Sequence, residues 1–247
     1  MKPLISVAAT ALVCGTFALF CTVWAFKLFA QGRYLSMSVV IGFAVFAFGL
    51  LAVRLIVAMG RVRPRVQYGD GGTLVRPDPK VDRLALMSTL AAFVSMLLYA
   101  VFGSLGMAEL PGVTRDQKWF VLMSAAGVVV GVPSLCRIAT QGGMSYLRLS
   151  GVGFEVGDAY SRAEHTWDDL SDVSDRSVAR KWAHTAGSSY LTTSDGRTRI
   201  LASDWYTPDG FALRRLLRFY WQHPEFRDEL TDRRAAQRLR DQWWGPT

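Results

Sequence analysis

The residues best equipped for chemistry sit in one stretch, Ser174 to Gly187, reading SDRSVARKWAHTAG. Arg176, Arg180, Lys181, Trp182 and His184 stand together there. Cations beside an indole suit an anionic membrane face, because the ring favours the interface and the charges favour phosphate. The plainer reading, which the composition favours, is a solvated loop with Trp182 folded back. Asp168 and Asp169 are adjacent carboxylates, but neighbours in an extended strand point to opposite faces, so turn chemistry suits them better than shared acid-base work. His165, His184 and His223 lack metal-ligand spacing, and His223 before Pro224 fits a helix junction. Ser188 lies four residues from His184 with nothing to orient a base. No GxSxG, P-loop, HExxH or glycine-rich dinucleotide fingerprint occurs. The expectation is a non-enzyme with no metal and no cofactor.

The elements that must carry these residues divide into two solvents. Residues 1 to 139 are apolar runs with short polar gaps, whereas residues 140 to 247 mix charged, aromatic and aliphatic residues. The net charge of +8 lies wholly in the first part, with 13 Lys/Arg against 5 Asp/Glu there and 15 against 15 after it. A basic balance confined to the apolar half signals membrane topology; a nucleic-acid binder would concentrate it on its soluble module. No nucleic-acid partner is expected. Cys14, Cys21 and Cys136 all fall in apolar runs and read as small fillers.

Four spans are expected at about residues 4–26, 35–59, 84–105 and 119–136, each long enough for roughly 30 Å of hydrocarbon. The first follows Lys2 like a secretory leader, but its length argues for a retained span. Arg54 falls within the second and can snorkel to the headgroups. Between the second and third spans lie Arg61, Arg63, Arg65, Arg76, Lys80 and Arg83, against two cations in each other loop. The positive-inside bias therefore puts this loop, both termini and the tail in the cytoplasm of a multi-pass plasma (inner) membrane protein. Arg61, Arg63 and Arg65, with Arg180, Lys181 and Trp182, are the candidate contacts with the bilayer surface. The loop can be read as a hairpin, Val66–Tyr68 and Thr73–Val75 about a glycine turn, or as an irregular segment along the membrane. Pro64, Pro77 and Pro79 favour the irregular form. Gly127 and Gly131 make a GxxxG suited to close helix packing or a homo-oligomer; ordinary small residues are the plainer account. No Asp, Glu or His lies in any span, which counts against an ion-coupled carrier.

The tail alternates with period two. Leu147 and Leu149, then Val152, Phe154 and Val156, flank a Ser150-Gly151 turn, and a third run follows from Ala159 to Trp167. Trp167, Leu170 and Val173 recur every third residue, as in a bulged or corner-turning segment. Ser189–Thr193 and Arg197–Ala202 make another hairpin. Thr207-Pro208-Asp209 has the marks of a helix start, with Leu213, Leu216, Leu217 and Tyr220 as the apolar stripe. From Glu225 onward a charged helix is expected, with Phe226, Leu230 and Leu239 on a thin apolar face and Trp243-Trp244 near its end.

On Leu147, Leu149, Gly153, Phe154, the Trp167-Asp168-Asp169-Leu170 corner and the closing helix, residues 144 to 221 resemble the bacterial pleckstrin-homology-like domains. The whole chain is similar to actinobacterial membrane proteins that carry such a domain behind transmembrane helices. The resemblance implies a small β-barrel or sandwich capped by a helix, used to bind headgroups, peptides or proteins. The first hairpin turn lacks the cation that lipid-specific members place there.

The expected organisation is a four-span domain over 1–139, a cytoplasmic pleckstrin-homology-like (PH-like) domain over 140–223 and a charged helix over 224–247. The expected function is a membrane-tethered interaction or scaffold protein, with the lipid bilayer and a protein as partners. A small transporter or channel subunit is the alternative.

Overall fold

The computed structural model describes residues 2–69, 71–108, 117–175 and 187–241, with side chains from Val7 onward. The chain divides into two compact units: residues 3–55 with 83–140, and residues 56–82 with 141 onward. The segment between the second and third helices thus belongs with the tail, against a boundary at residue 139.

The first unit is built from α1 (Lys2–Ala30), α2 (Tyr34–Ala58), α3 (Pro79–Ser104) and α4 (Gln117–Gln141). All four are long and apolar enough to cross a membrane. All four begin before the expected spans; α1 and α4 also run past the expected ends, α4 through Pro133 to Gln141, whereas α2 and α3 stop at Ala58 and Ser104. Large apolar side chains point outward, Phe26 and Val129 among them at 70% and 72% exposure, as a lipid-facing surface requires. Small residues set the helix contacts. Cys21 and Ala25 of α1 meet Val40 and Ala44 of α2. Gly42 and Gly49 of α2 face Ser95 and Ser88 of α3, so closely that a Cβ on either glycine would overlap the serine hydroxyl. Gly127 and Gly131 of α4 face Met96 and Phe93 of α3. Close backbone approach through small side chains is the usual way helices associate in lipid, where no hydrophobic force drives them together.

The second unit holds two antiparallel sheets. The larger has the order β1 (Arg65–Gly69), β2 (Gly72–Arg76), β3 (Ser145–Leu149), β4 (Gly153–Asp158) and β5 (Arg162–Thr166); the smaller is β6 (Leu170–Ser174), β7 (Ser189–Thr193) and β8 (Thr198–Leu201). The hairpin reading of the inter-span segment is therefore the right one, and the irregular segment expected there does not form. Its prolines fall outside the two strands, and Val75 of β2 pairs with Leu147 of β3. Proline punctuation bounded the strands instead of preventing them. Tail strands β3 to β5 follow the alternation except at Val152, which was expected on the apolar face but lies in the turn, 78% exposed, because β4 begins only at Gly153. Trp167, Leu170 and Val173 are all buried, and the β6–β7 register shifts between Leu170 and Asp172, the bulge that their spacing suggested.

The closing helix α5 spans Phe211–Gln222 and buries Leu213, Leu216, Leu217 and Tyr220 against both sheets. Its start differs from expectation. Asp209 and Gly210 take left-handed backbone (φ 56° and 66°) after a 3-10 turn, so the α-helix begins at Phe211, and Thr207 accepts a bond from Leu213 N. The single charged helix from residue 224 also gives way to two pieces: a 3-10 segment, Pro224–Thr231, and α6, Arg233–Asp241. Asp232 breaks the run in extended conformation and caps α6 by accepting from Arg234 N at 2.7 Å. Leu230, Ala235 and Leu239 join the same core as Trp167 and Phe154, so this end is part of the domain.

Candidate functional site

The second unit has two places where charge and shape could serve a partner: the outer face of the larger sheet, and a cleft between its first hairpin and the C-terminal helices.

On the outer face, strand pairing lines up Arg65, Arg76, Tyr146, Gly157 and Arg162 in one row, with Leu74, Arg148, Glu155 and Glu164 in the next. Glu155 is 6% exposed and collects the cations: Arg162 Nε lies 2.7 Å from it, Arg148 3.9 Å, and the Tyr146 hydroxyl donates to it. Gly157 makes room, since a Cβ there would overlap the Tyr146 ring. Burial, and then the bond to Glu155, push the Tyr146 phenol up. At the other end of the row Arg65 meets Asp82 at 2.9 Å, while Arg76 donates to the carbonyls of Gln141 (2.7 Å) and Gly142 (3.0 Å). Asp82 also accepts from Met144 N at 2.8 Å, and Asp78 accepts from the backbone N–H groups of Arg63 and Lys80. These contacts tie the start of α3 to the chain that leaves α4. Nearly all the charge on this face is matched within the unit, so it reads as a brace.

The cleft, of about 710 Å³, is different. Its walls are Arg63, Val66 and Tyr68 on the hairpin side, Thr207, Pro208 and Ala212 at the start of α5, and Arg233, Ala236, Leu239 and Arg240 on α6. Residues 233, 236 and 240 share one face of a helix by spacing. Val62, Ala212 and Leu239 are buried and give the cleft an apolar floor. Arg233 is held by its Nε, which donates to Tyr68 Oη at 2.6 Å, and by its position over the Tyr68 ring. Among the described residues, three guanidinium groups and no carboxylate line the space.

Beneath the cleft α6 is locked to the core. Arg238, 4% exposed, meets Glu229, 1% exposed, through two bonds of 2.5 and 2.8 Å, and Tyr220 Oη lies 3.3 Å from the same carboxylate. The guanidinium lies over the rings of Phe219 and Phe226, 4.4 and 5.3 Å from their centres. The bond to Glu229 raises the Arg238 pKa further, and burial pushes the Tyr220 phenol up. Thr73 of β2 donates to Leu230 O at 2.6 Å, so the inter-span hairpin and the C-terminus hold each other.

Of the residues singled out as surface contacts, Arg63 lines the cleft, Arg65 is paired with Asp82 and Arg61 is exposed. Arg180, Lys181 and Trp182 lie outside the described residues, as do Arg176, His184 and Trp243-Trp244. Asp168 and Asp169 form no shared site. Asp169 accepts from Thr166 N and Oγ1, which hold its carboxyl below the usual range, while Asp168 is exposed. Among the described residues no three His, Cys, Asp or Glu come together as a metal site would need. Arg233 and Arg240 were read only as helix charge; their spacing of seven with Ala236 between them was the available signal.

Comparison with family models, with curated proteins and with solved structures found no match to this chain.

Proposed function

We propose that the chain is a membrane-tethered binding protein, with four spans in the plasma (inner) membrane and a PH-like module on the cytoplasmic side. The observation that carries this reading is the shared sheet, in which the hairpin between α2 and α3 is hydrogen-bonded to the strand that follows α4. A sheet cannot be laced through a bilayer, so both segments lie on one side of any membrane that α3 and α4 cross. The excess of Lys/Arg between α2 and α3 supports the cytoplasm as that side. Six tail strands in two sheets, closed by an amphipathic helix, support the PH-like reading.

Binding is favoured over catalysis by the use of the buried charges. Glu155, Glu229, Asp78 and Asp82 are each engaged in a bond that fixes a strand or a helix end. A scaffold needs such a frame, and it leaves recognition to the surface. The glycines that suggested a channel subunit are accounted for within the helices of one chain.

The test has two parts. A reporter enzyme active only outside the cytoplasm, fused after Thr247, should stay silent, and activity would overturn the orientation. Crosslinking in cells should then join the intact chain to a protein partner. Val75→Asp, which breaks the sheet at its centre, should abolish that crosslink; an unchanged crosslink would remove the module from the interaction.

A further inference from the structure

Most arginines of the second unit already have a partner among the described residues. Arg65 meets Asp82, Arg162 meets Glu155, Arg234 meets Asp232 and Arg238 meets Glu229. Arg76, Arg218 and Arg227 donate to backbone carbonyls. Arg63, Arg233 and Arg240 pair with no described carboxylate, and these three line the same cleft. Cations brought together without counter-charge repel one another, an arrangement that an anionic ligand relieves.

We propose that this cleft binds a phosphate group carried on an apolar body. The proposal deepens the binding-module reading and rests on it. The guanidinium fork matches phosphate oxygens in pairs, so several arginines favour phosphate over a single carboxylate. Arg233 is already oriented by Tyr68, which engages its Nε and leaves its terminal nitrogens for the ligand. Val62, Pro208, Ala212 and Leu239 supply the apolar contact. A volume of about 710 Å³ suits a small amphiphile or a lipid headgroup with its glycerol. The chain also favours a source at the bilayer surface, since Val62 follows the end of α2 at Ala58 by four residues. A headgroup and a free phosphate ester share this chemistry.

The full chain in neutral detergent is titrated with short-chain phosphatidic acid, short-chain phosphatidylcholine and inorganic phosphate, and binding is read by calorimetry. Phosphatidic acid should bind, and Arg63→Gln, Arg233→Gln and Arg240→Gln should each weaken it by about tenfold, the loss expected for one charge-assisted bond. Arg197→Gln, in the β7–β8 turn, should change nothing. Competition by inorganic phosphate would identify a free phosphate as the source, and its absence a lipid headgroup; either supports the shared chemistry. Equal binding of phosphatidylcholine, no binding of any phosphate, or unchanged affinity in all three variants would overturn it. So would equal competition by a glutamate-rich peptide, which would leave only a cationic surface. Thermal unfolding without ligand checks that each variant folds, and Arg240→Gln, at the exposed end of α6, is the one least able to disturb the core. If the partner crosslink persists while phosphate fails to bind, the cleft assignment falls and the module stands. Phosphate binding without a partner gives the reverse.

Discussion

If the inter-span hairpin is part of the domain, the tail alone should not fold. The perturbation is its removal, comparing residues 141–241 with a fusion in which residues 60–82 are joined to 141–241 by a short Gly/Ser linker. The linker can be short because Arg76 reaches the carbonyl of Gln141 and Asp82 reaches Met144 N, so the two ends are neighbours. Without the hairpin the core loses Val75, fully buried, at about 2 kcal/mol. It loses the Thr73 to Leu230 bond, about 1 kcal/mol. Leu147 and Leu149 are uncovered along a bare β3 edge, for about 2 kcal/mol more. The loss, on the order of 5 kcal/mol, equals the whole stability of a weak domain. Urea unfolding followed by near-ultraviolet circular dichroism should show a cooperative transition for the fusion and none for the tail alone. If the tail unfolds cooperatively at the same midpoint as the fusion, the hairpin is an accessory and the reasoning fails.

Other outcomes follow from the same contacts. Glu229→Gln and Arg238→Met should each destabilise the second unit by about 3 kcal/mol, because each leaves a buried charge without its partner, while the double variant should recover much of the loss; additive losses in a double-mutant cycle would show that the two do not act as a pair. Gly49→Leu should push α2 off Ser88 and lower the melting temperature of the detergent-solubilised protein, whereas Gly15→Leu, with only Leu51 Cδ2 at 4.0 Å, should be mild; equal effects would refute the contact. The Asp169 carboxyl is held low by Thr166. A depressed folded pKa stabilises above the ordinary carboxylate value and is lost as pH falls through the depressed one. Thr166→Val should therefore weaken the protein at neutral pH and leave it little changed in strong acid; an equal deficit at both would disprove the linkage.

Hydropathy and alternation exposed much of this fold, because both are local. Four long apolar helices, the β3–β4 hairpin and the apolar stripe of α5 could be read from neighbouring residues. What escaped depends on distant partners. Val66 and Val75 carry the alternation of strands, but nothing beside them says that Leu147 waits beyond two helices. Arg238 looked like one more charge on a solvated helix, since its burial depends on Glu229 across the helix break at Asp232. Gly42 and Gly49 were overlooked among apolar neighbours, although Ser88 and Ser95 repeat at the same interval of seven. The cleft was legible only at Arg63, because its other arginines meet it through the fold of α6 against the hairpin.

The order of the chain gives the β1–β2 hairpin a waiting time. The ribosome delivers β2 before α3 and α4, and β3 only after them, so at about 5–20 residues per second the edge of β2 stands open for several seconds. An open edge invites pairing with other strands. If α3 and α4 cross a membrane, β3 reaches β2 only when both have crossed or neither has, since a single crossing would leave β3 on the wrong side of the bilayer. A chain in which one of the two helices crossed without the other would keep the edge of β2 unpaired, as open to other strands as it was before β3 was made.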